Sequence, residues 1–181
     1  MSENKSYKVV HYLNQFYAGI GGEDFALTAP YKQDGPVGPG NLLAASSGGR
    51  LEVVGTVVCG DNKAVEGPEV IAEIVELIKS YKPEALVAGP AFLAGRYGET
   101  CTEVCSKVKE DLGIPVITGL APTHPSVERF RGDIPIVKTA ENGADMKNCM
   151  PVMGKTYVVK QNFVLCLRNA GSGFSVTFNM N

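Results

Sequence analysis

The stretch LEVVGTVVCGDNKAVEGPEVIAEIVELIKSYKPEALVA, residues 51–88, decides the fold. Its first nine residues, Leu51 to Cys59, are nearly all apolar and rich in valine, the pattern of a strand covered on both faces. Pro68 then stands where proline is tolerated, at the first turn of a helix. Val70, Ile71, Ile74, Val75 and Ile78 keep helical spacing, while Glu69, Glu73, Glu76 and Lys79 face away, so a helix is expected to about Tyr81. Pro83 ends it, and Ala85 to Ala88 reads as the next strand. Strand, helix and strand in this order form a crossover unit of a parallel sheet.

The same alternation extends in both directions. Tyr7 to Leu13 reads as a strand of β-branched and aromatic residues. Asn14 to Gly49 is rich in Gly and Pro, broken by a short helical candidate around Asn41 to Ser47. Downstream, a long helix is predicted from about Leu93 to Leu112, closed by Gly113 at the C′ position. Pro115 to Thr118 and Ile134 to Val137 read as two more strands, with short helices at Ser126 to Phe130 and about Ala140 to Met150. The expectation is one α/β domain over residues 1–153, built on a doubly wound, mostly parallel five-stranded sheet. Residues 154–181 behave differently. There VVKQNFVLCL and FSVTF flank Asn169 to Gly173, which reads as a β-hairpin-like tail or one that does not pack on the sheet.

Composition narrows the function. The chain has 181 residues, Lys+Arg 17 against Asp+Glu 19, and a net charge of −2, which argues against a dedicated nucleic-acid binder. No run approaches the roughly 18 apolar residues needed to cross a bilayer, and MSENKSYKVV is not a signal peptide. Cys59, Cys101, Cys105, Cys149 and Cys166 include no CxxC pair, which favours reduced thiols in the cytoplasm over a disulfide framework. Cys101 and Cys105 lie four apart on one helix face, a pair that could bind metal or be redox-active, but no second Cys or His pair has ligand spacing, so simple burial is the expected reading and no metal is expected.

Ligands of open α/β sheets bind outside the carboxyl ends of the strands. The loops predicted there carry Asn14-Gln15, then Gly19-Ile20-Gly21-Gly22-Glu23, Cys59-Gly60-Asp61-Asn62, and Gly95-Arg96-Tyr97-Gly98. The glycine run lacks the spacing of a nucleotide fingerprint or a P-loop, so it reads as a tight turn. Cys59 ends a strand beside Gly60 and Asp61, where its thiol either faces the site or packs in the core. Arg96 stands near a helix start, against the dipole, either held for an anion or else solvated or paired internally. Of the two histidines, His11 lies inside a strand, and His124 is the better candidate for proton transfer.

The blocks HYLNQFYAGIGGED (11–24), DGPVGPG (34–40), VVCGD (57–61), AGPAFLAGRYG (88–98) and LGIPVITGL (112–120) resemble a known family. They look like the N-terminal half of the component B selenoprotein of the glycine, sarcosine and betaine reductases, in order over roughly residues 8–153. The resemblance implies amino-acid fermentation in an anaerobe. An amine substrate is handled with a pyruvoyl-bearing partner subunit. A selenolate takes the carboxymethyl group, which passes to the small component A selenoprotein and ends as acetyl phosphate. The family's selenocysteine lies in a second half that this sequence does not match, and none of the five cysteines occupies its motif. This chain alone is therefore expected to hold no cofactor and not to turn over substrate.

Residues and resemblance together predict a flavodoxin-like domain that supplies a binding site and needs a separate catalytic half. Asn14, Gln15, Gly21, Gly22, Arg96 and Tyr97 are its candidate substrate- or partner-binding residues, with Arg96 meeting a carboxylate. Cys59, Asp61 and Glu23 are candidates for chemistry, the two acids meeting an ammonium or acting as a base. Two rival readings are a non-catalytic assembly domain and a stand-alone thiol enzyme using Cys59 or Cys101.

Overall fold

The computed structural model describes residues 6–156. The strands are β1 (Tyr7–Asn14), β2 (Tyr31–Asp34), β3 (Leu51–Cys59), β4 (Ala85–Phe92), β5 (Val116–Leu120) and β6 (Ile136–Lys138). The helices are α1 (Pro39–Ser46), α2 (Asp61–Ala64), α3 (Pro68–Lys79), α4 (Gly95–Leu112), α5 (Pro125–Arg129) and α6 (146–156). Short 3-10 turns stand at Glu23–Phe25 and Gly143–Asp145.

The sheet has six strands in the order β2-β3-β1-β4-β5-β6, and only β2 runs antiparallel to its neighbour. The expected five parallel strands are all present, and the sixth is a correction. β2 (YKQD) has no apolar alternation and is mostly exposed, so it carries no periodic signal. It pairs by backbone with β3, Tyr31 opposite Val58 and Asp34 opposite Gly55. β4 also runs further than ALVA, through Gly89-Pro90 to Phe92, because all eight of its residues are buried. The helix expected at about 140–150 is instead a 3-10 turn followed by α6, which crosses the boundary expected at 153. The two strand-like runs of the tail lie outside the described residues.

Helices cover both faces of the sheet. On one, Val70, Ile74 and Ile78 of α3 and Val104 and Val108 of α4 pack on Val10, Tyr12, Val57, Leu86 and Ala88. On the other, Leu43 of α1 and Met150 and Met153 of α6 pack on Val9, Val53, Val87 and Ile117. Each such side chain stabilises the fold by roughly 1.5–3 kcal/mol when fully buried. The register of β3 against β1 skips Val54, so Val53 and Val57 serve opposite cores although they are four residues apart. Gly55 lies at that irregularity, and the Tyr81 ring occupies the place of its missing side chain, 2.3 Å from where a Cβ would sit.

From β1 the chain steps outward to β3, then returns across β1 to β4 and continues to β5 and β6. The direction of winding therefore reverses between β1 and β4. In sheets wound this way the loops leaving the two carboxyl ends part at that point, and the crevice between them is the usual ligand position.

Candidate functional site

Three segments meet at that crevice. β1 ends on Asn14, with Gln15 next; β3 runs through Gly60 into Asp61, the first residue of α2; and Arg96 and Tyr97 stand in the first turn of α4. Asn14 Nδ2 and Gln15 Nε2 both donate to Asp61 Oδ2, at 3.1 and 3.4 Å. The Asp61 backbone N–H in turn donates to Gln15 Oε1 at 3.0 Å, and the Tyr17 N–H donates to Asn14 Oδ1 at 2.9 Å. Each amide is thus held at both ends, which fixes its orientation and leaves one edge of the carboxylate aimed by two donors. Burial pushes the Asp61 carboxyl above its usual range; the two amides and Arg96 offset this in part, while Glu23 adds to it.

Arg96 bridges the other two loops. Its Nη2 lies 2.9 Å from Glu23 Oε1 and 3.1 Å from Oε2, and its Nη1 donates to Asn62 Oδ1. The arginine is paired within the chain and remains solvent-exposed. Gly21 and Gly22 belong to the turn that delivers Glu23: the Ile20 and Gly21 N–H groups bond the Gln15 carbonyl at 3.0 and 3.5 Å. The Phe25 ring fills the space beside Gly21, 2.3 Å from where its Cβ would lie. Gly60 has backbone in that place, the Ala26 carbonyl at 2.3 Å.

Tyr97 lies beneath this polar layer rather than in it. It is buried, stacked on Tyr17 at 5.8 Å and tilted against Tyr12 at 6.4 Å. Its hydroxyl lies beside the Asn14 backbone and the Cys101 thiol but makes no hydrogen bond of good geometry to either. Phe92, which takes a positive φ of 56° where the chain leaves β4, packs against Tyr17 at 5.9 Å. That backbone conformation is strained for an aromatic residue, and Phe92 holds it at the base of the crevice.

Cys59 faces the core below the site. Burial pushes its thiol up to about 12, with Glu73 adding to the effect, so it stays protonated at neutral pH. Cys101, Cys105 and Cys149 are likewise buried and raised. His124 departs from the expected proton-transfer role. Its Nδ1 accepts the Ser126 N–H at 3.1 Å as the cap of α5, and its Nε2 faces the Ala94 and Gly95 carbonyls at 3.2 and 3.3 Å. With both ring nitrogens engaged, it ties α5 to the start of α4.

Sequence reasoning names Asn14, Gln15, Glu23, Asp61 and Arg96, and the structure brings these together. It misses Asn62 and Tyr17, whose only signal is their place in the strand-end loops. Grooves of about 400 and 280 Å³ flank α4, one lined by Val65, Ile71 and Glu103 and the other by Glu99, His124 and Arg129. Both lie beside the crevice rather than in it. Among the described residues no group of three His, Cys, Asp or Glu is placed to hold a metal, and no helix is long and apolar enough to cross a membrane.

A family model described as glycine/sarcosine/betaine reductase selenoprotein B matches residues 6–166. The glycine reductase complex component B subunit gamma of Carboxydothermus hydrogenoformans is 49% identical over 148 residues, 81% of this chain and 34% of that one. The sarcosine reductase complex component B subunit beta of Peptoclostridium acidaminophilum is 48% identical, over 86% of this chain and 36% of that one. The betaine reductase complex component B subunit beta of the same organism is 36% identical, over 82% and 34%. The chain spans about a third of the length of these relatives. With its strand-end loops carrying the matched sequence, the chain belongs to the glycine/sarcosine/betaine reductase selenoprotein B family.

Proposed function

We propose that this chain supplies the substrate- or partner-binding end of a component B of a glycine, sarcosine or betaine reductase, and that it works with a separate catalytic portion. The observation that carries the reading is the Asp61 carboxylate, fixed by Asn14 and Gln15 at the crevice beside the Arg96–Glu23 pair. A flavodoxin-like fold fits it: without β2, the parallel strands follow the order 2-1-3-4-5 of that fold, whose ligand sits at the same reversal of winding.

The substrates of the family are small amines that also carry a carboxylate. Asp61 would take the ammonium or act as a base, its raised pKa suiting a proton acceptor better than a permanently ionised acid would. Arg96 would take the carboxylate by exchange with Glu23. An exposed ion pair of this kind contributes only about 0–1 kcal/mol, so a ligand displaces it at small cost. The selenocysteine and the pyruvoyl group supply the nucleophile and the carbonyl chemistry from elsewhere in the complex. None of the four described cysteines stands in for a selenolate, since each is buried and held protonated. The reading places the chain in the cytoplasm, with the pyruvoyl-bearing subunit and the component A selenoprotein as partners.

Arg96→Ala tests it. In the complex reconstituted with those partners, the loss of a charge-assisted pair is expected to weaken substrate binding about 10- to 100-fold. Unchanged affinity and turnover would remove Arg96 from the site.

A further inference from the structure

Six large apolar side chains stand out in solvent among the described residues, and five of them gather at one end of the sheet. Phe16 follows β1, Phe25 and Leu27 precede β2, Val65 ends α2, and Leu93 follows β4. Their exposures are 61%, 47%, 66%, 44% and 39%. Val152, at 48%, is the sixth and belongs to α6, whose Met150 and Met153 pack on one face of the sheet. Single exposed apolar residues need no explanation, but five of them carried on the loops at one end of a sheet mark a contact surface.

These loops are held in place. The Asn62 and Lys63 N–H groups bond the Ala26 carbonyl at 2.9 and 3.0 Å, and the Gly60 N–H bonds Thr28 at 2.8 Å. Ala26 is therefore buried while Phe25 and Leu27 on either side are turned out. Phe16 is braced edge-on against the Tyr17 ring at 5.2 Å. Arg96, joined to both Glu23 and Asn62, ties these loops together at the centre. An apolar rim presented on fixed backbone keeps the entropy cost of docking low.

We propose that this rim is the docking surface for the polypeptide that the family carries beyond the matched third, so that the crevice around Asp61 and Arg96 closes between the two portions. The inference rests on the component B reading above. The first relative has 148 residues matched as 34% of its length, which leaves about two thirds of it, close to twice the matched length, unaccounted for by this domain. A second portion of that size can cover the rim, and a site lying open on one domain is completed by it, as ligand sites at domain interfaces are.

The test co-expresses the full 181-residue chain with that remaining polypeptide of the Carboxydothermus hydrogenoformans subunit and measures co-purification, a readout that does not depend on turnover. The wild-type chain is expected to bring the partner down at one to one. The double variant Phe16→Asp with Leu27→Asp should lose at least nine-tenths of it, as truncated interface anchors do, and Val152→Asp should lose none. Circular dichroism and thermal melting of the double variant establish that it is folded. The proposal is overturned if the wild-type chain purifies alone, if the double variant retains its partner, or if the rim instead holds a second copy of this chain. Association lost in the double variant while Arg96→Ala leaves substrate binding intact would keep the docking surface and remove the ligand site. The reverse pattern would do the opposite.

Discussion

His11 shows how one buried ring records the pH dependence of the fold. Its Nε2 lies 2.6 Å from the Gly89 carbonyl oxygen, which can only accept, so Nε2 carries the proton and Nδ1 is left buried without a partner. Burial lowers its pKa to about 4, from an ordinary 6.5. Between these values the unfolded chain binds more protons than the folded one, so stability is present above about 6.5 and is lost as pH falls toward 4. The loss from this group approaches about 3 kcal/mol. His11→Gln, which can still donate to Gly89, is expected to flatten that slope; urea midpoints at pH 4.5 and 7 measure it, and an unchanged slope would assign the acid sensitivity elsewhere. Asp61 has the opposite sign: raised in the fold, it favours the folded state below the ordinary carboxylate range and loses that contribution as pH rises through its folded pKa. A group that costs stability at neutral pH suits a role in binding more than one in folding. Asn14, Gln15 and Asp61 are legible in the sequence because they end strands. That they bond one another is not, since they are 46 and 47 residues apart.

At the scale of elements, two glycines of α4 separate local propensity from tertiary context. Alanine ordinarily stabilises a helix over glycine by up to about 1 kcal/mol. At Gly95 nothing lies within 4 Å of a Cβ, so Gly95→Ala is expected to be neutral or slightly stabilising. At Gly98 a Cβ would sit 2.4 Å from His124 Nε2, and that ring is pinned through both nitrogens. Gly98→Ala should therefore reverse the sign and destabilise by about 1–3 kcal/mol. Chemical denaturation of both variants checks the pair; equal midpoints would mean that His124 moves freely. The same division separates the strands. β3 and α3 were legible because burial imposes a period on them. β2 was not, because a mostly exposed edge strand is specified by the backbone of its neighbour rather than by its own side chains.

At the largest scale, the two cores close off the four thiols among the described residues. Cys59, Cys101 and Cys105 lie in the α3/α4 core and Cys149 in the α1/α6 core, all at or near zero exposure. Their alkylation in the native protein at pH 7 should proceed only through opening of the fold, at least about 1,000-fold slower than in denaturant. Peptide-resolved labelling measures each one, and a fast native reaction at Cys59 or Cys101 would revive a thiol-enzyme reading. Sequence alone determined the parallel α/β architecture, because apolar period and chain punctuation are local properties that each segment carries by itself. It also fixed the family, through the composition of the strand-end loops. Only the tertiary structure decided that Arg96 pairs with Glu23 and Asn62, that Tyr97 lies beneath the site, and that five apolar side chains stand exposed on loops at that end of the sheet. Those facts depend on which loops the winding of the sheet brings together, and distances between residues remote in sequence are set by the packed fold.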